Sequence, residues 1–151
     1  MTNPINPDLP MNLMALFDHL RTRLQIGLIE HGIDLTPPDM RLLELIGAGE
    51  GLNLQDVGRQ MCRDKALITR KVKEMEARGL VRRERNPEDQ RSFQLFLTEA
   101  GKVVDAQAKA ILAQTHDNLF AFLSEAEQAT FADLLKRCLD NQSGCLDDFP
   151  Q

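Results

Sequence analysis

The sequence has no tryptophan and no tyrosine, so no phenol or indole is available to any site it builds. It has three cysteines, Cys62, Cys138 and Cys145, an odd number without a CxxC pair. That pattern indicates neither a disulfide framework nor structural zinc, and it suits a reducing compartment better. Cys138 falls on an apolar helical face and reads as a small core residue. The three histidines, His19, His31 and His116, are too dispersed to suggest a zinc site, and no metal or other cofactor is expected. No apolar run approaches the roughly 20 residues of a membrane-spanning helix. The opening MTNPINPDLPMN has no basic stretch before an apolar one, so it does not read as a secretory signal; the cytoplasm is the expected compartment. Nucleophile elbow, Gly-rich phosphate loop and HExxH are all missing, and an enzyme is not expected.

Against these absences stands an uneven charge distribution. The net charge is −5 over 151 residues. Residues 59–91 hold eleven basic and six acidic residues, a balance of +5, whereas the remainder holds seven basic and seventeen acidic, a balance of −10. A basic block inside an acidic protein is the electrostatic footprint of a phosphate-binding surface; a solvated, salt-bridge-laced helix face would have the same composition.

Helical periodicity organises most of the chain. Residues 1–9 form a polar, proline-rich arm. Leu13, Leu16, Phe17, Leu20, Leu24, Leu28 and His31 then recur at three- and four-residue steps, predicting a helix of about five turns that Gly32 stops. Thr36 before Pro37 caps a second helix with Met40, Leu43 and Ile46 inward, and Gly47, Gly49 and Gly51 end it. Asn53 with Asp56 opens a short third helix carrying Leu54, Val57 and Met61. Asp64 caps a fourth that runs to Gly79, about 16 residues or roughly 24 Å. Its apolar residues are Leu67, Ile68, Val72 and Met75, which leaves Lys65, Ala66, Thr69, Arg70 and Lys73 largely on the open side.

Two strand-like runs, Leu80 to Arg85 and Phe93 to Leu97, flank a polar loop at 86–92 and predict a β-hairpin. Two amphipathic helices follow. One carries Val104, Ala108, Ile111, Leu112, Leu119 and Phe122; the other starts at Ser124 with Glu127 in a capping box and carries Phe131, Leu134, Leu135 and Cys138. The acidic tail from Ser143 reads as frayed. This order predicts a mainly α fold with a small hairpin: a winged helix-turn-helix at about 34–98, flanked by long dimerisation helices at about 10–32 and 98–142, all in one domain spanning 1–151. In it the fourth helix, 64–79, is a recognition helix and the loop at 86–92 is the tip of a wing.

The hairpin carries Asp89-x-Arg91-Ser92 and then Leu97-Thr98-x-x-Gly101, preceded by Glu76-x-x-Gly79-Leu80-Val81-x-Arg83. With these motifs the chain resembles the MarR (multiple antibiotic resistance regulator) family of winged helix-turn-helix transcription factors, over nearly its whole length. The resemblance implies a homodimeric repressor that binds a pseudo-palindromic operator on double-stranded DNA and is released by a small aromatic or phenolic effector. It places Lys65, Ala66, Thr69, Arg70 and Lys73 in the major groove and Arg85, Asp89, Arg91 and Ser92 at the wing. Arg91 becomes a minor-groove probe, with Asp89 and Glu88 orienting it through a charge-assisted hydrogen bond.

The effector-binding residues are not specified by the sequence. His19, Arg21 and Arg23 could meet a carboxylate, although arginines on a polar face are usually solvated. The peroxide-sensing branch of the family pairs a reactive cysteine near the start of the first helix with phenols, and this chain has neither. Cys62, flanked by Arg59, Arg63 and Lys65, leaves a thiol-based redox-sensing regulator as an alternative. A winged-helix protein-interaction module is a further one. The breadth of the apolar stripes favours a dimer over a monomer that folds its outer helices back on itself.

Overall fold

The computed structural model describes residues 3–141. In chain order these form α1 (Asp8–Glu30), α2 (Pro37–Ala48), α3 (Leu54–Met61), α4 (Lys65–Ala77), β1 (Val81–Arg85), β2 (Phe93–Leu97), α5 (Glu99–Phe120) and α6 (Glu125–Asp140). The order and type of every element match the sequence expectation. β1 and β2 pair antiparallel in a register that sets Val81 opposite Leu97 and Arg85 opposite Phe93. An isolated bridge adds Leu52 as a short third rung: the Leu95 N–H donates to the Leu52 carbonyl at 2.8 Å. A single rung has no periodicity to betray it in the sequence.

The core lies among α2, α3, α4, the hairpin, the C-terminal part of α1 and the first half of α5. Leu28, Leu43, Val57, Val72 and Met75 are completely inaccessible to solvent. Each such side chain contributes about 1.5–3 kcal/mol by burial. For α4 the consequence is geometric. Ile68, Val72 and Met75 fix the rotation of the helix about its own axis and thereby decide which residues face away.

Chain reversals are encoded locally. Thr36, Asn53 and Ser124 each head a reciprocal capping box with Asp39, Asp56 and Glu127. Gly32 and Gly79 adopt φ of 68° and 73°, and after each the next N–H reaches back into the finished helix, Ile33 to Leu28 and Leu80 to Met75. This is the Schellman stop that glycine permits.

Several expectations are corrected. α1 begins at Asp8, inside the segment read as an arm; Pro10 stands in the first turn, where the missing N–H costs no helical bond. Only Leu24 and Leu28 of its stripe are buried, whereas Leu13 and Phe17 are exposed and His31 merely closes the helix, its Nδ1 2.8 Å from the Gly27 carbonyl. α6 buries none of its residues within the chain, and Cys138 is exposed instead of lying in a core. Phe122 stands beyond the end of α5 and is 82% exposed. α4 has 13 residues, because Asp64, Arg78 and Gly79 serve as caps and stop. Cys62 is disulfide-bonded, contrary to the expectation of reduced cysteines. Cys145 and the acidic tail lie outside the described residues.

The Leu97-Thr98-x-x-Gly101 motif has a packing reason. The Thr98 hydroxyl donates to the Gly79 carbonyl at 2.5 Å and accepts the Gly101 N–H at 3.0 Å, while the Thr98 N–H donates to the Leu80 carbonyl. A Cβ on Gly101 would stand 2.0 Å from that same Leu80 oxygen. Neither backbone can move without breaking the joint. Gly101→Ala should therefore destabilise the fold by about 1–3 kcal/mol in urea unfolding; a neutral result would contradict this tight approach.

Candidate nucleic-acid interface

α3 and α4 are joined by a three-residue turn, Cys62 to Asp64. Cys62 takes φ 50° and ψ 47°, the left-handed conformation that usually falls to glycine at this point of a helix end. The Arg63 N–H then closes on the Gly58 carbonyl at 3.2 Å. Asp64 at once opens α4: its carboxylate accepts the N–H groups of Ala66 at 2.6 Å and Leu67 at 3.2 Å. The turn is therefore determined at both ends, and the angle between the two helices follows from it.

Lys65, Ala66, Thr69, Arg70 and Lys73 together line one open, shallow depression on α4, with Asp64 at its end. This is the grouping that the apolar spacing predicts. Thr69 is half-buried, and its hydroxyl donates to the Lys65 carbonyl at 2.7 Å. No ion pair among the described residues involves Lys65, Arg70 or Lys73.

The wing tip is closed by its own polar groups. Asn86 Oδ1 accepts the Glu88 N–H at 2.9 Å, the Ser92 N–H donates to the Asp89 carbonyl at 3.0 Å, and the Asn86 N–H donates to the Ser92 carbonyl at 3.1 Å. Arg85 donates to the Gln90 carbonyl at 3.2 Å and lies over the Phe93 ring at 5.6 Å. Asp89 behaves differently from expectation. Its Oδ1 accepts the backbone N–H of Arg91 at 3.0 Å, so it shapes the turn instead of holding the guanidinium, and no hydrogen bond or ion pair joins Glu88 to Arg91 among the described residues. Ser92 is half-buried and closes the tip through its hydroxyl, which donates to the Asp89 carbonyl at 3.4 Å.

Part of the basic block is engaged by acceptors of the protein itself. Arg82 pairs with Glu84 and stacks on Phe96 at 4.9 Å, Arg83 pairs with Glu76 at 2.7 Å, and Arg78 donates to the Asp34 carbonyl at 2.6 Å. Lys71 reaches Asp39 on α2 at 3.0 Å. Asp39 is almost wholly buried. Burial pushes its carboxyl up, but bonds from the Thr36 N–H and hydroxyl, together with the Lys71 ammonium, outweigh it and hold the group below its ordinary value. The carboxylate in turn raises Lys71 against its own partial burial, with Glu74 helping. Sequence reasoning missed this pair. Thr36-x-x-Asp39 signals the cap, but no spacing links position 39 to position 71.

A cavity of about 540 Å³ with a mixed polar and apolar wall lies between α1 and α5, lined by His19, Arg23, Glu30, Ile26 and Ile111 among others. Arg21 does not line it. A second, apolar one of about 580 Å³ lies between α5 and α6, with Phe120, Phe122, Phe131 and Leu134 in its wall. No cluster of His, Cys, Asp and Glu suited to a metal ion occurs among the described residues. No helix among them is long and apolar enough to cross a membrane.

A helix-turn-helix with a basic outer face and a hairpin wing beside it defines a winged-helix DNA-binding protein. The MarR family model matches residues 35–93, from the α2 cap to the start of β2. The HTH-type transcriptional regulator SarZ of Staphylococcus haemolyticus is 31% identical, over 72% of this chain and 72% of its own. The apo form of MarR from E. coli shares the fold at a TM-score of 0.73 and 25% identity, covering 90% of this chain and 99% of that one. A mutant of that protein complexed with operator DNA gives 0.77 at 24% identity, with 88% and 94% covered, a likeness of fold. The chain belongs to the MarR family. It is a DNA-binding transcriptional regulator and not an enzyme.

The Asp39–Lys71 pair has a pH signature. A lowered carboxyl contributes stability that is complete above the ordinary value of 3.8 and is lost as pH falls through the still lower folded value. A raised ammonium contributes stability that is complete below 10.5 and is lost as pH climbs through the higher folded value. The stability difference between the native protein and Asp39→Asn/Lys71→Met should stay flat from about pH 5 to 9. It should change in the native protein's disfavour at both extremes, as followed by urea unfolding across pH; a difference independent of pH below 3.8 contradicts the ionised pair.

Proposed function

We propose that the protein is a homodimeric repressor whose α4 enters the major groove of a pseudo-palindromic operator while Arg91 reaches the adjacent minor groove. The carrying observation is the single open face that gathers Lys65, Ala66, Thr69, Arg70 and Lys73. Arg85, Asp89 and Ser92 serve the wing, Arg85 by its charge and the other two by holding the tip that presents Arg91. A guanidinium at a narrow tip suits a groove about 6 Å wide, where negative potential is concentrated.

The dimer reading rests on apolar side chains that the chain leaves uncovered. Phe17 and Leu9 on α1, Leu139 on α6 and Phe122 before it are all more than half exposed. A second copy related by a two-fold axis would cover these surfaces and set two copies of α4 about 34 Å apart, one helical turn of DNA. The α1–α5 cavity, with His19 and Arg23 in its wall, is the proposed place for a small aromatic acid whose binding releases the operator. The cytoplasm, where the operator lies, is the compartment this reading requires.

Arg91→Ala should weaken operator binding while the dimer persists in sedimentation; unchanged affinity across a salt series would remove the wing from the interface. Arg70→Ala should alter base preference by about 1–3 kcal/mol at the contacted position. Selection from a random duplex library checks it, and an unaltered consensus would refute the assignment of α4. Titration with 2-hydroxybenzoate should displace the operator from the native protein but not from Arg23→Ala. Equal displacement of both would exclude that cavity.

Redox sensing by Cys62 is a second reading, favoured by its disulfide-bonded sulfur in the turn that orients α4. Under it, a thiol reductant changes the operator affinity of the native protein and leaves Cys62→Ser unaffected.

A further inference from the structure

We propose that the buried Asp39–Lys71 ion pair is a positioning latch that holds α4 at the angle needed to read the operator, without either residue touching DNA. The inference rests on the reading of α4 as the DNA-contacting helix.

Asp39 is tied first to its own helix. One carboxylate oxygen, Oδ2, accepts from the Thr36 N–H at 2.9 Å and from the Thr36 hydroxyl at 2.7 Å. Those two bonds complete the cap of α2 and consume that oxygen. The other, Oδ1, is buried and has no well-directed hydrogen bond among the described residues. Its compensation is the Lys71 ammonium at 3.0 Å, an electrostatic contact across to α4. A cap alone needs neither the second oxygen nor the lysine, so the arrangement does something besides capping.

The location says what. α4 packs chiefly on α3 and β1. α3 fixes its start through the tight turn and β1 its end through Gly79, but rocking toward or away from α2 is restrained by other groups. Lys71 supplies one of them. Arg78, two turns on, supplies a second by donating to the Asp34 carbonyl at 2.6 Å, just before the same cap. Lys71 thus follows Arg70 in sequence and is committed to α2, with its side chain only 26% exposed.

A latch and a direct phosphate contact give opposite results. Operator and random-duplex affinities, with their salt dependence, are measured for the native protein, Asp39→Asn, Lys71→Met, Lys71→Arg and Asp39→Asn/Lys71→Met, with Arg70→Ala as the control on α4. The latch requires Asp39→Asn and Lys71→Met each to weaken operator binding by about tenfold, with the double variant no weaker than either single one. Random-duplex affinity and the salt slope should stay native, and Lys71→Arg should recover operator binding.

If Lys71 contacts a phosphate, Lys71→Met lowers the salt slope by about 0.9 and Asp39→Asn, which frees the lysine, tightens binding. Either result overturns the proposal, as does Lys71→Arg binding as weakly as Lys71→Met. Near-ultraviolet circular dichroism distinguishes mispositioning from unfolding. The double variant removes both charges and avoids an unpaired buried carboxylate, so it keeps the test open where a single variant fails to fold. Native affinity in the folded double variant overturns the latch. Should Arg70→Ala leave operator binding intact, the reading of α4 fails; should only the position 39 and 71 variants bind normally, the latch alone fails.

Discussion

The arrangement of the proposed DNA-binding face depends on one crowded joint where α4 ends, the hairpin starts and α5 departs. The carbonyls of Gly79 and Leu80 are claimed there by the hydroxyl and N–H of Thr98, and Gly101 allows the α5 backbone to close on Leu80. Helix, hairpin and long helix therefore share one backbone junction. Because the hairpin is only two five-residue strands, its own stability is small, and a wing of that size keeps its aim only if its base is anchored. The partial third rung at Leu52 anchors the other strand.

Electrostatics divide the basic block into two populations with different tasks. Lys71, Arg78, Arg82 and Arg83 are spent on acceptors of the protein itself; Lys71 and Arg78 tie α4 to α2 and the residues before it, Arg83 ties it to β1, and Arg82 pairs within the hairpin. Lys65, Arg70, Lys73 and Arg91 form no ion pair among the described residues and supply the outward field. The +5 excess of the segment consequently overstates the charge offered to phosphate and understates how firmly that charge is held. An acidic protein can present such a face, since screening confines each exposed charge to about a Debye length of 8–10 Å.

The sequence disclosed what periodicity and local chemistry govern. The capping boxes at Thr36, Asn53 and Ser124 and the glycine stops at 32 and 79 bounded most elements closely, since both signals act within four residues. The outward face of α4 was equally legible, because burying Ile68, Val72 and Met75 leaves no freedom for the rest of the turn. What stayed hidden was non-local or depended on solvent. No pattern joins Asp39 to Lys71 or Leu52 to Leu95. The start of α1 was masked by Pro7 and Pro10, which read as breakers although a helix tolerates proline in its first turn. Asp89 was given the guanidinium of Arg91 because charge suggests it, whereas the geometry of a tight turn gives the nearer backbone N–H to the carboxylate.

The misreading of Cys138 as core has a common origin with the exposure of Leu13, Phe17 and Leu139. Apolar spacing records that a face is to be covered, not what covers it. For α2, α3 and α4 the cover comes from this chain: Met40, Leu43, Ile46, Val57, Ile68, Val72 and Met75 of the expected stripes are buried, Leu54, Met61 and Leu67 are half-buried, and Leu42 and Leu45 join them unexpectedly. For the first half of α1 and all of α6 but Phe131, which packs on Phe120, it does not, and the helices stand as amphipathic rods with most of their apolar sides open. Leaving that much apolar surface to water would forfeit about 25 cal/mol for each Å². In the proposed dimer the same two helices that a single copy leaves open would also fix the distance between the two copies of α4, so the free energy of covering them would hold the spacing of the half-sites.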